Sequence, residues 1–414
     1  MRIAYVCADL GVPVFGRKGC SIHVQEVVRA LSEQDACVEL FARRLEDDPT
    51  PGLETIRRYA LPAIPKGEHA LREQAALAAN DEVRALLEQE GPFDLVYERY
   101  SLWSFAAIEY ARDSGIPGLL EVNAPLITEQ QEHRVLVDRP GAERVAARVF
   151  AAATALLAVS REVCGYLEQY PRARGHIHVV PNGVDPNRFP ATLAPSCPAP
   201  PSAFTVGFVG TLKPWHGLTT LIDAIALLRA SDSNVRLLIV GDGPERPRLE
   251  AQLAIRGLTE VSRLTGTVAP DQVPGLLASM DVAVAPYPKL ASFYFSPLKV
   301  YEYMAAGLPI VASEIGQLAE LLRHEETGLL YTPGDASELA AALERLRLDT
   351  ALRKCLGAAA RATALRKHTW AAVARRILSL AGLAEPDALA RDAGPLANAS
   401  GSATPYATVS PTKN

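Results

Sequence analysis

The chain has 414 residues, 49% hydrophobic and 21% charged, which is the balance of a soluble globular protein too long for a single core, so we expect two domains. Its net charge of -5 at pH 7 argues against nucleic-acid binding, which requires clustered positive charge. The six cysteines form no C-x-x-C pair and no zinc-ligand spacing, so we expect no zinc site and a reducing environment.

No stretch of the sequence is typical of export or membrane insertion. The first residues form a strand pattern without the apolar segment and cleavage site of a signal peptide. The most apolar stretch, 145–159, is interrupted by Arg148 and falls short of the ~20 residues that a membrane span needs. We expect a cytoplasmic protein, and the sequence leaves peripheral contact with the inner face of a membrane open.

Short apolar runs alternate with helical patterns throughout the first half. Runs at 3–7, 38–41, 95–97, 118–122 and 156–159 are predicted to be buried parallel strands. The clearest helix between them covers 21–33, where the apolar residues share one face. Strands separated by helices indicate βαβ units and a doubly wound parallel sheet.

The same alternation begins again after residue 201. Strands are predicted at 204–209, 235–240, 263–265, 282–285, 309–312 and 329–331, with helices at 218–230, 248–256, 297–306 and 338–346. We therefore expect Rossmann-like domains over 1–190 and 203–365, a Pro/Ala/Ser-rich linker over 191–202, and a disordered tail over 385–414. Two such domains face each other across a cleft, and ligands bind beyond the carboxyl ends of parallel strands.

The segment S-P-L-K-V-Y-E-Y-M-A-A-G-L-P at 296–309 predicts a helix whose start binds an anion. Ser296 is a suitable N-cap and Pro297 a suitable first residue, which leaves the amides of Leu298 and Lys299 without partners. A lysine beside the positive end of a helix dipole is unfavourable unless a phosphate binds there. Glu302, one turn later on the same face, could accept hydrogen bonds from ribose hydroxyls. The alternative is a solvated Lys299 that only pairs with Glu302.

Two further loops follow predicted strands of the second half. The loop G-T-L-K-P-W-H-G at 210–217 combines a glycine turn at Gly210 with two donor candidates, Lys213 and His216. The loop V-G-D-G-P-E at 240–245 is either an ordinary turn or a second ligand loop. Neither half opens with the G-x-G-x-x-G dinucleotide fingerprint.

Taken in order, these segments resemble family 4 of the glycosyltransferases, retaining enzymes of the GT-B fold. The C-terminal half carries most of the resemblance in G-F-V-G-T-L-K-P-W-H-G, L-L-I-V-G-D-G-P-E, L-T-G-T-V and S-P-L-K-V-Y-E-Y-M-A-A-G-L-P-I-V-A-S. It is extended by V-P-N-G-V-D at 180–185, T-G-L-L-Y-T-P-G-D at 327–335 and the loop K-G-C-S-I-H-V-Q-E at 18–26. The resemblance spans about residues 1–380 and implies a C-terminal segment over 366–384 that crosses back onto the N-terminal domain.

The resemblance also implies roles for individual residues. Lys213 and His216 stand where the family places its diphosphate-binding cations, and the main chain at Leu298 and Lys299 would hold the β-phosphate. Glu302 would bind the ribose, and the main chain around Val268 would contact the base. The donor-binding candidates are Gly19, Gly210, Lys213, His216, Val268, Tyr294, Ser296, Leu298, Lys299 and Glu302.

Three positions depart from the family pattern. Asn123, in E-V-N-A-P, stands where the family has a histidine near the acceptor. Tyr294 stands at the first glutamate of the E-x7-E pattern that ends at Glu302. His216 replaces a permanently charged side chain, so donor affinity is expected to depend on pH near neutrality.

The expected activity is retaining transfer of a sugar from a UDP- or GDP-sugar to a hydroxyl acceptor that the sequence does not identify. No D-x-D metal motif is present, so no metal or other cofactor is expected. The catalytic candidates are Asn123, Glu121, Lys213 and Lys299. Asn123 would orient the sugar, while Glu121 is either an acid or base or a structural cap at its strand end.

His23, Glu98 and Asn123 are the acceptor-side candidates, although a surface or core histidine and a solvated Glu98 are equally good interpretations. The losses at Asn123 and Tyr294 motivate an alternative function, a sugar-nucleotide-binding protein or partner subunit without turnover. A nucleotide-sugar epimerase is a weaker alternative, because the acidic residues it needs are not found. The oligomeric state is not predicted.

Overall fold

The computed structural model describes residues 1–231 and 234–383. The expected tail at 385–414, and the end of the expected segment 366–384, lie outside the described residues. The described part contains two parallel sheets, each covered by helices on both faces, which confirms the predicted α/β fold class.

The first sheet has seven parallel strands in the order β3-β2-β1-β4-β5-β6-β7. Its strands are β1 Arg2–Cys7, β2 Cys37–Ala42, β3 Arg57–Ala60, β4 Leu95–Arg99, β5 Gly118–Val122, β6 Ala155–Ala158 and β7 Ile177–Val179. The helices of this half are α1 Gly19–Ser32, α2 His69–Ala78, α3 Asn80–Glu90, α4 Ala106–Asp113, α5 Leu126–His133, α6 Arg139–Ala152 and α7 Arg161–Leu167. The strand order reverses between β1 and β4, so a crevice opens at the carboxyl ends of these two strands.

The second sheet has six parallel strands in the order β10-β9-β8-β11-β12-β13. Its strands are β8 Phe204–Val209, β9 Val235–Val240, β10 Ser262–Leu264, β11 Val282–Ala285, β12 Ile310–Ser313 and β13 Leu329–Tyr331. The helices are α8 Leu218–Ser231, α9 Arg246–Ile255, α10 Val273–Leu277, α11 Leu298–Ala305, α12 Gly316–Leu321, α13 Ala336–Leu348, α14 Thr350–Lys367 and α15 Trp370–Leu380. Here the order reverses between β8 and β11, which creates a second crevice.

The last helix, α15, packs against the first half of the chain. Trp370, Ile377 and Leu378 are buried in the apolar cluster that also contains residues of β1 and α1. The Val184 and Trp370 main chains are hydrogen-bonded, which ties the start of α15 to the segment before the linker. Both halves of the chain therefore share one apolar cluster at this point. None of the described helices is long and apolar enough to cross a membrane.

Two edge strands were not predicted. β3 has the sequence R-R-Y-A and three of its four residues are exposed, so it lacks the apolar run by which the central strands were found. β7 is three residues long and carries no fully buried side chain. The six predicted strands of the second sheet are all present, although β10 and β12 are shifted by one residue.

Candidate active site

A cavity of about 450 Å³ lies between the two halves of the chain, at the carboxyl ends of strands from both sheets. The first sheet contributes Arg99 at the end of β4 and Asn123 just after β5. The second contributes Gly210 after β8 and Gly241 after β9, and the start of α11 completes the wall. This is the location in which doubly wound sheets bind ligands.

The start of α11 faces the cavity, but its N-cap is not the predicted residue. Pro297 is the N-cap and Leu298 the first helical residue, so the prediction of Ser296 as N-cap was wrong by one position. The Ser296 hydroxyl instead accepts a hydrogen bond of 3.1 Å from the Asn182 amide of the first half. Within the described chain, the amides of Leu298 and Lys299 have no hydrogen-bond acceptor, and both residues line the cavity.

The Lys299 ammonium is buried at this helix start without a hydrogen-bond partner among the described residues. Its Nζ lies 4.2 Å from the centroid of the Phe208 ring and 5.2 Å from that of Tyr287. Burial lowers the pKa of Lys299 to about 7, against the opposing effect of Glu302. An unpartnered buried ammonium beside unpaired amides is suited to an anionic ligand.

Gly210 makes room for this ammonium. Its φ of +146° lies in the region that favours glycine. A Cβ at Gly210 would lie 3.0 Å from Lys299 Nζ and 3.2 Å from its Cε. An alanine at this position would be strained by the φ and would require the lysine tip to shift by a few tenths of an ångström.

His216 lines the cavity, but its chemistry differs from the prediction. Its Nδ1 donates to the Thr211 carbonyl at 2.5 Å. Burial, together with the neighbouring Lys299 ammonium, lowers the pKa of His216 to about 2, despite the opposing effect of the Thr211 hydrogen bond. The expectation that His216 titrates near neutrality was wrong, because the site is buried and already contains a basic group.

Lys213 does not line the cavity that the described residues form. It precedes the 3-10 turn Pro214–His216, and its Nζ lies 5.5 Å from the centroid of the Trp215 ring. The structure thus separates the two predicted diphosphate ligands of this loop: His216 faces the cavity and Lys213 stacks on a neighbouring aromatic side chain.

Glu302 lines the cavity one turn after Lys299, and it pairs with an arginine that sequence reasoning missed. Arg188 Nη1 lies 3.2 Å from Glu302 Oε1, and Arg188 Nη2 donates to the Pro270 carbonyl at 2.9 Å. Burial raises the pKa of Glu302, and Arg188 opposes that rise. Arg188 follows V-D-P-N just before the predicted linker, where no motif marks it as a site residue.

Four side chains converge on the buried carboxylate of Glu121. His23 Nε2 and the Tyr97 hydroxyl donate to Oε1 at 2.7 and 2.8 Å, while Asn123 Nδ2 and Arg99 Nη1 donate to Oε2 at 2.8 and 3.5 Å. Burial alone would raise the pKa of Glu121, but His23, Arg99 and Asn123 outweigh it and lower the pKa to about 2. Glu121 is therefore ionised at neutral pH, which contradicts the predicted role as an acid, while the alternatives of a base and of a structural cap stay predictions.

Of the remaining candidates, Gly19 and Val268 line the cavity, whereas Tyr294 and Glu98 are not among the described residues that do so. The Tyr294 hydroxyl donates to Glu129 of α5 at 3.3 Å, across the two halves of the chain. Glu98 is fully buried and hydrogen-bonded by Ser104, and burial raises its pKa to about 7. The interpretation of Glu98 as a solvated charge was wrong.

Comparison with known proteins identifies the family. Residues 17–188 match the family model described as Glycosyltransferase Family 4, and residues 203–349 match the one described as Glycosyl transferases group 1. The phosphatidyl-myo-inositol mannosyltransferase of Mycobacterium leprae is 30% identical over 388 residues, which cover 91% of this chain and 96% of that protein. The chain belongs to glycosyltransferase family 4. It is a glycosyltransferase that uses a sugar donor.

A further relative and two solved structures are similar to the chain. The 2-deoxystreptamine glucosyltransferase of Streptomyces kanamyceticus is 30% identical over 301 residues, 67% of this chain and 74% of that protein. Sucrose-phosphate synthase from Thermosynechococcus elongatus superposes with a TM-score of 0.70 at 22% identity, over 92% of this chain and 98% of that one. Anabaena HepE in complex with UDP superposes with a TM-score of 0.67 at 21% identity, over 92% and 99% of the two chains. The fold of this glycosyltransferase is GT-B.

The glycosyltransferase has a second cavity, of about 420 Å³, within its N-terminal half. It lies at the switch point of the first sheet, beyond the ends of β1, β2 and β4. Its lining includes Trp103, the basic residues Arg43, Arg72 and Arg134 and the acidic residues Asp9 and Glu129. Because Glu129 also bonds Tyr294, this cavity borders the contact between the two halves.

Proposed function

We propose that this family 4 glycosyltransferase transfers a sugar from a UDP- or GDP-sugar to a hydroxyl acceptor, with retention and without a metal ion. The observation that carries the proposal is the buried ammonium of Lys299, which has no hydrogen-bond partner within the described part of the chain, beside the open amides of α11. The helix start and the protonated form of Lys299 suit a diphosphate, whose charge grows as the sugar leaves. Glu302, one turn away, can accept from the ribose hydroxyls.

The proposed reaction is a same-face substitution. The bond between the anomeric carbon and the β-phosphate oxygen breaks, and a bond from the acceptor oxygen forms on the same face. The acceptor proton passes to the departing phosphate oxygen, so no protein base is required. Lys299 and the amides of Leu298 and Lys299 stabilise the charge that develops on the diphosphate.

Metal independence is proposed from the groups that face the diphosphate. Lys299 supplies a cation once it is protonated, and the dipole of α11 adds positive potential at the same point. A metal ion would compete with these groups for the same oxygens. Donor turnover in excess EDTA tests this part: a loss of activity that Mg²⁺ or Mn²⁺ restores would overturn it.

The nucleotide proposal is tested by binding and turnover. UDP and GDP should raise the melting temperature, since a ligand that binds only the native state stabilises it. Lys299→Ala should lose most of that shift, while the control Lys289→Ala, which removes an exposed lysine, should keep it. The protein should then release nucleoside diphosphate from UDP- or GDP-sugars, and NMR of the product should show the anomeric configuration of the donor.

A binding protein without turnover is not favoured, because the relatives are named as transferases. Saturable binding of a UDP- or GDP-sugar with no release of nucleoside diphosphate, across water and a panel of hydroxyl acceptors, would reinstate that alternative. An inverted product would reject the retaining mechanism and leave the transferase activity standing.

We also propose that the acceptor binds in the second cavity. The cavity lies in the N-terminal half and combines an indole, on which a sugar or other ring can stack, with charged side chains that can bind its substituents. With an acceptor that supports transfer, Arg72→Ala and Trp103→Ala should lower the ratio of transfer to donor hydrolysis. An unchanged ratio in both variants would place the acceptor elsewhere.

A further inference from the structure

The Glu121 carboxylate uses all of its hydrogen-bonding capacity on protein groups. Two donors reach each oxygen, His23 and Tyr97 at Oε1 and Asn123 and Arg99 at Oε2. Two oxygens with about four lone-pair positions are thereby filled. A ligand in the cavity would find no free acceptor position on this carboxylate.

The partners of Glu121 come from separate elements and mostly face the cavity. His23 lies on α1, Arg99 ends β4 and Asn123 follows β5, and all three line the cavity. Glu121 itself and Tyr97 are not among the described residues that line it. The carboxylate is thus buried behind three polar side chains that a donor sugar would meet. We call Glu121 with its partners His23, Tyr97, Arg99 and Asn123 the hub.

We propose that Glu121 is a positioning residue for sugar transfer, which fixes the orientation of His23, Arg99 and Asn123 toward the donor. The proposal rests on the proposed function, because it assigns these three side chains to the sugar end of the nucleotide-sugar site. It differs from the roles of acid, base or strand cap, since the carboxylate acts through its partners and touches no substrate.

The hub also decides which atom of Asn123 a sugar meets. The carboxylate can only accept hydrogen bonds, so the Asn123 amide group must turn its Nδ2 toward Glu121. The Oδ1 atom is then left for the ligand, and Asn123 presents a hydrogen-bond acceptor to a sugar hydroxyl. The Arg99 guanidinium keeps Glu121 as its counter-ion. The negative charge of Glu121 therefore reduces the repulsion between Arg99 and the other basic groups of the site.

The variant Glu121→Gln tests the role because it conserves volume but replaces one acceptor oxygen by an amide donor. One pair of partners, Asn123 with Arg99 or His23 with Tyr97, then faces a donor instead of an acceptor. We expect kcat for release of nucleoside diphosphate, from the UDP- or GDP-sugar that the wild type turns over, to fall about 100-fold through misorientation. The affinity for UDP or GDP alone should change less than about three-fold, since the diphosphate groups lie at α11.

A double variant keeps the test decisive if the single variant is poorly folded. Glu121→Gln with Asn123→Asp exchanges the amide and the carboxylate, so the hydrogen bond between the two positions and the total charge are both retained. Position 123 again offers an oxygen to the sugar, and we expect kcat to recover about ten-fold. The matched control is Glu39→Gln, which alters another buried carboxylate of the same sheet, bound by Arg2 and Tyr59.

The outcomes separate the two proposals. A wild-type protein that neither binds UDP and GDP nor releases them from sugar donors would reject the proposed function. If the wild type is active, a kcat in Glu121→Gln within about three-fold of wild type would overturn the positioning role. The positioning role would also be overturned if Glu39→Gln lowered kcat as much as Glu121→Gln does, or if kcat did not recover in the double variant. Either result would assign Glu121 a purely structural role.

Discussion

Donor binding should be coupled to the uptake of a proton by Lys299. The buried ammonium has a pKa of about 7 in the empty cavity, whereas an ordinary lysine has 10.5. A diphosphate against Nζ stabilises the charged form and raises that pKa again. Above pH 7 the empty protein therefore carries mostly neutral Lys299, and the complex carries it protonated.

The size of the effect follows from the two pKa values. About half of the empty sites are protonated at pH 7 and about 1% at pH 9, so the affinity should fall about 50-fold over this interval. The groups that face Lys299 are Glu302 on the same helix, His216, and Tyr287. Burial holds His216 neutral and raises the pKa of Tyr287, so neither changes charge between pH 7 and 9.

The assay is calorimetric titration with a UDP- or GDP-sugar, whose phosphates do not titrate in this range. Repeating it at pH 8 in two buffers of different ionisation enthalpy yields the number of protons taken up, which should approach one. Lys299→Arg is the control, since a guanidinium stays charged and should remove the dependence on both pH and buffer. Normal binding with no proton uptake at pH 8, or an affinity constant within three-fold from pH 7 to 9, would refute the coupling.

Three further predictions concern single residues. Gly210→Ala should weaken UDP or GDP binding about three-fold by isothermal titration, because the φ of +146° strains an alanine and its Cβ would require Lys299 Nζ, at 3.0 Å, to shift; Gly165→Ala, whose Cβ would meet no described atom within 4 Å, should leave binding unchanged. Glu302→Ala should lower affinity for UDP or GDP about ten-fold more than affinity for the 2′,3′-dideoxy nucleotide, since only the former has hydroxyls to donate, whereas the loss of the Glu302 charge beside Lys299 affects both; equal losses would contradict the ribose role. For Glu121, whose pKa falls from 4.5 unfolded to about 2 folded, stability is present above pH 4.5 and lost toward pH 2. The difference in free energy of unfolding between wild type and Glu121→Gln, measured with urea, should then shrink by about 2 kcal/mol from pH 6 to pH 3. A difference that stays constant with pH would contradict the lowered pKa of Glu121.

The fold was predictable where burial alone dictates the residue pattern. β8 and β9 are interior strands of the second sheet, paired on both sides, so their apolar runs end where the strands end, and both were predicted to the residue. β3 was missed because an exposed edge strand has no such requirement, and its arginines resemble a loop. Helix ends were less predictable. The N-cap of α11 is Pro297 and not the predicted Ser296, because the Ser296 hydroxyl accepts a hydrogen bond from the main-chain amide of Asn182, 114 positions away.

The candidate site was predictable in its local chemistry and not in its long-range contacts. The pattern around Lys299 placed a cation at a helix start, which depends only on neighbouring residues. The charge of His216 depends on its burial and on Lys299, which lies 83 positions further along the chain. The residues next to His216 in the sequence indicate neither effect. The hub at Glu121 joins residues 98 and 24 positions apart, so a strand-end glutamate could be assigned a role only after folding brought His23 and Tyr97 to it.

The two walls of the cavity differ in how their positive charges are balanced. The second half holds Lys299 at a helix start with no counter-ion in contact among residues 1–231 and 234–383, so we expect its charge to be expressed fully only when a ligand brings negative charge. The first half pairs Arg99 with Glu121 at 3.5 Å, so the charge of that wall has a counter-charge from the protein itself. We expect a site arranged this way to bind a diphosphate with uptake of a proton and to present preformed hydrogen-bonding groups to the sugar. Mutations on the Lys299 side should therefore alter the pH dependence of binding, and those on the Glu121 side should alter the rate at which bound donor reacts.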